Sequence, residues 1–588
     1  AHRCPYLEDP WRSQAREGEN MSDSGFQPGP VRRPVGLETE FGVLRPSDPY
    51  ANPVVLSSQV VEAYSAGADA PSARWDYAGE DPLADLRGGR LRRSAAHPSQ
   101  LTDDPALPAP SGDASPVMRT ADPPPAPWGS QARPSAVEEA LPQAAATVLV
   151  NGARLYVDHA HPEYSSPEVL TPHDALVWDR AGEVIARRAM AVLDDAVGQG
   201  EIVLYKNNVD GKGATYGSHE NYLVRRDLAF SDLAPALIPF LVTRPVVAGA
   251  GRVGIGQRSQ RPGFQISQRA DYVESDVGLQ TTFNRPIVNT RDEPHADASR
   301  FRRLHIINGD ANRFDVPIYL KVATTDLLLW YLERASDRQN RLGALAPLRL
   351  VHDPVEDHWA VSHDTDLTHP LVTVSGPMTA LEIQRAHLRA IVDALEEDYG
   401  GAVPECVGEE TAAAVALWDE TLTALEGYAS AQGTAREPEA TARAAALVEW
   451  VAKKQLCDAM RVRTGADWDD PRLAALDIQW ADLRTGRGIA DRLIAAGRTR
   501  RMTTDAEIEA AADTAPFGTR AAIRGSAVAR HSEVVAASWT SLVLDLPECE
   551  HLLRLSLPED VQTDPQRVAD VLDQVQITIG PRRGLGAD

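Results

Sequence analysis

VGLETEFGVL, residues 35–44, sets glutamates at positions 38 and 40 among apolar and small neighbours. Such alternation reads as a β-strand, in which successive side chains point to opposite faces. Glu38 and Glu40 then share one face, while Leu37, Thr39 and Phe41 share the other. Two carboxylates side by side on a sheet repel each other unless a cation lies between them. A hard, oxygen-seeking ion such as Mg2+ answers that need. The bland alternative is an exposed face with both acids in water.

A second strand-like run supplies a partner. In RLYVDHAHPEYSSPE (154–168), Tyr156 and Asp158 are two apart and share a face, and Asp158 falls where strand meets loop. Glu163 and Glu168 add acceptors nearby. Several acids gathered on one sheet surface are costly without metal, so the two stretches together predict a metal–phosphate site. His159 and His161 offer a rival reading: an HxH zinc pair with Asp158 or Glu163 as base. No cysteine accompanies the pair, and carboxylates outnumber imidazoles here, which favours magnesium.

Composition narrows the class. A chain of 588 residues, 43% hydrophobic and 24% charged, has the make-up of a globular protein long enough for more than one domain. Its formal net charge of −25 argues against a general nucleic-acid binder, because neutralising phosphates takes clustered Lys and Arg. No apolar run approaches the roughly 18 residues that suggest a membrane-crossing helix. The opening AHRCPYLEDPWRSQAREGEN lacks the apolar centre of a secretory leader. Four cysteines, Cys4, Cys406, Cys457 and Cys549, show no CxxC spacing. That pattern predicts neither a disulfide framework nor a thiolate zinc site, and it fits a reducing cytoplasm.

Residues 1–30 read as a disordered extension, with Met21 a candidate start. Residues 31–498 read as a catalytic domain carrying a long mobile insertion at about 46–146, whose stretch 95–136 is rich in Pro, Ser, Ala and Asp. Residues 499–588 read as a small C-terminal α+β domain. Early in the insertion, NPVVLSSQVVEAYSAG (52–67) has helical periodicity, with Val54, Val55, Val60, Val61 and Tyr64 recurring on one side. DALVWDRAGEVIARRAMAVLDDAV (174–197) is an amphipathic helix, and EIVLYKNNV (201–209) and ENYLVRR (220–226) are strands. LAPALIPFLVTRPVVAGAG (233–251) reads helix first, then strand, and helices dominate from 377 to 497.

Three further stretches bear on chemistry. YKNNVDGKGATYGSHENYL (205–223) combines a Gly-rich backbone with Lys206 and Lys212, suited to a phosphate or a peptide tail, or else forms a flexible hairpin. GAGRVG has GxGxxG spacing at Gly249, Gly251 and Gly254, with Asp271 downstream. The following IGQRSQRPGFQ cannot be the helix a dinucleotide fold requires, so that reading is rejected and Arg252 and Arg269 are left as anion binders. NTRDEPHAD (289–297) and RRLHIINGDAN (302–312) bring Arg291, Arg303 and His305 close in sequence, and Arg suits carboxylate or phosphate.

In order, GLETEFG, NGARLYVDHAHPEYSSPE, YKNNVDGKGATYGSHENYL, FQISQRADY, TRDEPHAD and RLHIINGDAN resemble the family of Pup-processing enzymes. EWVAKKQL, DIQWADLRTGRG and TRAAIRG extend the resemblance. This family comprises the Pup ligase and the Pup deamidase/depupylase, relatives of the glutamine synthetase-type carboxylate–amine ligases. It implies an α+β fold: a curved, mainly antiparallel sheet packed by helices, with ATP and Mg2+ on the concave face. By resemblance, Glu38, Glu40, Tyr156 and Glu163 match metal-binding positions. Tyr156, His219, Arg269 and His305 match neighbours of the nucleotide and its phosphates, Trp450 matches the neighbour of the base, and Asp158 matches the essential aspartate.

The 46–146 connection is far longer than a ligase needs between its first two strands. With the wording Asp-His-Ala-His-Pro after the second strand, it points to the deamidase/depupylase branch. That branch implies hydrolysis of the C-terminal glutamine amide of Pup to glutamate, and cleavage of Pup–lysine isopeptide bonds. Asp158 would serve as nucleophile or general base, with ATP–Mg2+ as cofactor. Pup and pupylated proteins are the implied partners, in the cytoplasm and linked to a bacterial proteasome pathway; nucleic acid and membrane are not expected. Pup ligation is the alternative, and a zinc amidohydrolase or a non-catalytic Pup binder stand further off. A local basic groove, with Arg300–Arg303 contributing, is expected to receive the acidic, disordered Pup chain.

Overall fold

The Val35–Glu40 strand turns Val35, Leu37 and Thr39 into the core, where the Thr39 hydroxyl donates to Asp179 at 3.2 Å. Its other face keeps Gly36, Glu38 and Glu40, as period-two alternation requires. Asp179 belongs to the helix Pro172–Val197, which covers the buried face. That helix starts at Thr171, whose side chain accepts from the Asp174 N–H, with Pro172 and an acidic residue in the first turn.

The computed structural model describes residues 30–65, 73–93, 96, 128–131, 146–198, 200–211, 213–334, 337–547, 549–557, 569–570, 573 and 575. The expected N-terminal extension and most of the Pro-rich stretch 95–136 lie outside the described residues. One sheet of 13 strands organises the rest. Its order is Val273–Gly278, Arg285–Asn289, Phe301–Ile306, Ser218–Arg225, Val35–Glu40, His161–Ser165, Arg154–Asp158, Ala146–Val148, Arg74–Trp75, Val534–Ala537, Ser541–Leu544, Leu552–Ser556 and Trp128–Gln131. Two joints are parallel, Val273–Gly278 with Arg285–Asn289 and Arg74–Trp75 with Val534–Ala537; the others are antiparallel. The fold is therefore α+β with a mainly antiparallel sheet packed by helices.

Behind the sheet, helix Asp315–Glu333 is buried along almost its whole length and is apolar on most sides, as a helix enclosed by others must be. Around it pack Pro172–Val197, Ala380–Tyr399 and Glu409–Ala431. The strands Val534–Ala537, Ser541–Leu544 and Leu552–Ser556 are hydrogen-bonded into the same sheet through Arg74–Trp75, a strand supplied by the insertion. Among the described residues, no helix is long and apolar enough to cross a membrane.

Two local expectations change. Pro245–Ala248 is a short helix, not strand, and the strand begins at Arg252. Pro245 at the first helical position presets φ, and burial of Val246 and Val247 outweighs their β preference. In helix Pro53–Ser65, Val54 and Val55 are exposed, and the packed face is Leu56, Val60, Val61 and Ala63.

The helical layer encloses His358 and His387, which burial pulls down to about 4 each. The unfolded chain therefore takes up protons first as pH falls below 6.5, and stability drops between pH 6.5 and 4, by up to roughly 3 kcal/mol per histidine. Denaturant melts at pH 7.5 and 5 should show that loss, and His387→Leu should flatten it. An unchanged pH dependence in the variant would contradict this account.

Candidate functional site

Strand register assembles the site. On the acid-bearing face Glu40 pairs with Glu163, and Glu163 pairs with Tyr156. The adjacent row runs through Arg154, Ser165, Glu38 and His219. One step further, Gly36 faces Asn221, which pairs with His305. Asp158 pairs with His161 at the mouth of a tight turn in which His159 takes φ 53°. The turn leaves Asp158 half-buried at the strand end, with the His159 ring nitrogen 2.8 Å from its carboxylate.

Oxygens of Glu40, Asp158 and Glu163 lie within 4.8 Å of one another. Burial, then the charges of Asp158, Glu38 and Glu40, push the Glu163 carboxyl well above the usual range. The Tyr156 phenol, raised by burial and Glu163, stays protonated and donates to Glu163 at 2.5 Å. Burial also pushes Glu40 upward, but His161 and the more distant His219 and Arg269 outweigh it and hold Glu40 at about 2. Such a crowd of oxygens, one of them forced toward its neutral form, could hold a hard divalent cation.

Beside it, Glu38, His219 and His305 form a second group within 4.8 Å. The imidazole of His219 contacts Glu38 at 3.2 Å, and Asn221 donates to the other Glu38 oxygen at 2.9 Å. Burial and Arg303 push His305 well below its usual range, so it is a neutral imidazole, the form that binds metals. Arg269 adds a buried cation beside Glu40. Its guanidinium donates to Thr215 (2.8 Å) and to the carbonyls of Tyr216 (3.0 Å) and Ile307 (3.1 Å), with no carboxylate at ion-pair distance among the described residues. Burial and Arg285 lower it to about 10, so an anion is the partner this buried cation needs.

Other candidates sit elsewhere. Glu168 leaves the cluster because Arg524 takes its carboxylate at 2.5 Å. Trp450 is wholly buried in the helical core, donating to the Val246 carbonyl and meeting Tyr428 edge-on, away from the carboxylates. His159 and His161 do not form a shared pair: His159 rests on Asp158, while His161 lies 3.3 Å from Glu40 and against the Tyr216 ring. Arg252 faces Asp271, and Arg291 binds Glu293. Lys206 is buried against Asp179 and Glu183 and is structural; Lys212 lies outside the described residues.

Two participants escaped the sequence reading. Asn221 lies two residues from His219 and could have been found by the same alternation that exposed Glu38 and Glu40. Gly217 carries no such signal. Its N–H donates to Glu40 at 2.8 Å, and a Cβ there would stand 2.2 Å from His219 Nε2 and 2.7 Å from Glu40 Oε1. Gly217→Ala should therefore displace both groups and weaken divalent-cation binding by about tenfold or more without unfolding the chain; titration calorimetry would test it, and unaltered affinity would refute it.

Fold and site define a class: an α+β protein whose large, mainly antiparallel sheet concentrates carboxylates, a phenol and imidazoles at the centre of one face. The family model described as "Pup-ligase protein" matches residues 33–543. This chain belongs to that family. It is 40% identical over 568 residues to the Pup deamidase/depupylase of Mycobacterium tuberculosis (strain ATCC 25618 / H37Rv), covering 94% of this chain and 100% of that protein. Among solved structures, the complex between Pup and its ligase PafA matches with TM-score 0.68 and 29% identity, covering 94% of this chain and 93% of the ligase chain. The ligase PafA in complex with ADP matches with TM-score 0.62 and 32% identity, over 75% of this chain and 91% of that one.

Proposed function

We propose that this chain is a Pup deamidase and depupylase. It hydrolyses the C-terminal glutamine amide of Pup to glutamate and cleaves the Pup–lysine isopeptide bond, using nucleotide and Mg2+ as cofactors. The observation that carries the activity is the similarity to a Pup deamidase/depupylase along that protein's entire length. The roles proposed below draw support from the family resemblance and from the site's geometry.

Both reactions are attacks on a γ-carboxamide carbon. The carboxylate of Asp158, at the turn and beside Glu40 and Glu163, is the group placed to deliver that attack or to take a proton from the attacking water. Glu38, Glu40, Tyr156 and Glu163, with His219 and His305, would hold divalent cations, and Arg269 would hold a phosphate oxygen. Bound there, Mg2+ would supply positive charge for the oxyanion that develops on the amide oxygen, with the anionic nucleotide held beside it. Tyr156 keeps Glu163 aimed at the cluster, and Asn221 orients Glu38. In the net reaction water adds across the C–N bond, and ammonia or the lysine amine leaves.

Mass spectrometry of glutamine-ended Pup incubated with the protein, with and without ATP–Mg2+, tests the reading. The expected result is an amide-to-acid mass gain only when both cofactors are present. Formation of a Pup–lysine bond with ADP release, and no deamidation, would reassign the chain to ligation. Nucleotide-independent activity lost to a zinc chelator would reassign it to a zinc amidohydrolase.

A further inference from the structure

The described arm of the insertion, residues 73–93, touches both flanks of the acid-bearing face. At one end Leu86 donates to the Thr290 carbonyl at 2.7 Å and Asp292 donates to the Ala84 carbonyl at 3.0 Å; the Asp81 N–H is bound by Glu293. At the other end stands Arg154, two residues before Tyr156 on the same strand face. Its guanidinium carbon lies 3.8 Å from the Tyr156 ring centroid, 4.4 Å from that of Trp75 and 5.3 Å from that of Tyr77. Polar contacts are looser: 3.6 Å to Glu80 and 3.4 Å to the Tyr77 hydroxyl, with Nε unbonded among the described residues. Glu80 is itself fixed by the Trp75 indole N–H at 2.6 Å. Trp75 also meets Trp539 edge-on at 4.9 Å, and Asp76 is gripped by Arg554.

Stacking, more than hydrogen bonding, therefore holds Arg154, and the flat face it offers to Tyr156 is a property of guanidinium that ammonium lacks. We propose that Arg154 is a positioning residue: clamped by Trp75, Tyr77 and Glu80 of the insertion, it locks the Tyr156 ring so that its hydroxyl stays on Glu163. The described arm of the insertion would thus set the geometry of the central carboxylate through Arg154. The 2.5 Å Tyr156–Glu163 contact is the element held, because a free ring could swing its hydroxyl off the carboxylate.

The kinetic arm of the test rests on the proposed deamidase reading; the binding arm does not. Full-length Arg154→Met should lower kcat for deamidation of glutamine-ended Pup about tenfold, with KM within twofold. Arg154→Lys should recover less than half of the loss, and Trp75→Leu, which leaves Arg154 in place, should reproduce part of it. In a Tyr156→Phe background Arg154→Met should add nothing beyond twofold, since the hydroxyl it positions is gone. Mn2+ affinity of the nucleotide-free protein, read by calorimetry, should fall at least threefold in Arg154→Met. Full additivity with Tyr156→Phe, or unchanged kcat and Mn2+ affinity in both Arg154→Lys and Trp75→Leu, would overturn the proposal. An inactive wild type would sink the deamidase reading, while the Mn2+ titrations would still decide the role of Arg154.

Discussion

Asp158→Asn should abolish deamidation and depupylation, lowering kcat about 10³-fold, while the protein stays folded. The amide keeps the size of the side chain at the turn but removes the negative charge that attacks carbon or accepts water's proton. The same change should leave the nucleotide-free protein as stable as the wild type or more so. Asp158 is among the charges that force the Glu163 carboxyl upward, so its neutralisation relieves repulsion. Loss of activity with an equal or higher melting midpoint separates a chemical role from a structural one. Full activity in the variant would remove Asp158 from the mechanism.

Glu220→Ala should be among the most destabilising single substitutions, costing about 3–5 kcal/mol. Glu220 is fully buried on the core face of the Ser218–Arg225 strand, where its two oxygens receive both terminal nitrogens of Arg244 at 2.8 and 2.7 Å and the Tyr222 hydroxyl at 2.7 Å. Truncation leaves the buried guanidinium with the Thr325 hydroxyl and the Lys321 carbonyl as its remaining hydrogen-bond partners among the described residues. A domain's stability of about 5–15 kcal/mol cannot lose that much without consequence. The double variant Glu220→Leu with Arg244→Met should regain most of the loss, because it removes both charges. Urea midpoints for the set measure this, and a shift below about 1 kcal/mol for Glu220→Ala would show the pair to be dispensable.

These two residues show how unevenly the structure was legible. Glu38, Glu40, Tyr156, Asp158 and Glu163 could be grouped because their relation is period-two alternation on short strands, a local property. His219 and His305 joined them only by resemblance, since their place beside Glu38 depends on strand register, which no single segment encodes. Glu168 was misread for the opposite reason: nearness in sequence suggested the cluster, yet Arg524, 356 residues downstream, claims it. Trp450 lies in an apolar helix start that reads the same whether it lines a nucleotide or a core. The α+β class and its antiparallel sheet came through the family resemblance, whereas the union of the C-terminal strands with that sheet did not, because it runs through a pair of residues in an insertion.

That pair, Arg74–Trp75, is the shortest strand of the sheet and links its two parts: Arg74 pairs with Thr147 on one side and Ala536 on the other. So short a rung makes a natural seam for partial opening. In native-state hydrogen exchange, amides of the 534–556 strands should exchange together through a low-energy fluctuation, while those of Val35–Glu40 wait for global unfolding. A single bond cleavage near Arg74 should convert one cooperative melting transition into two.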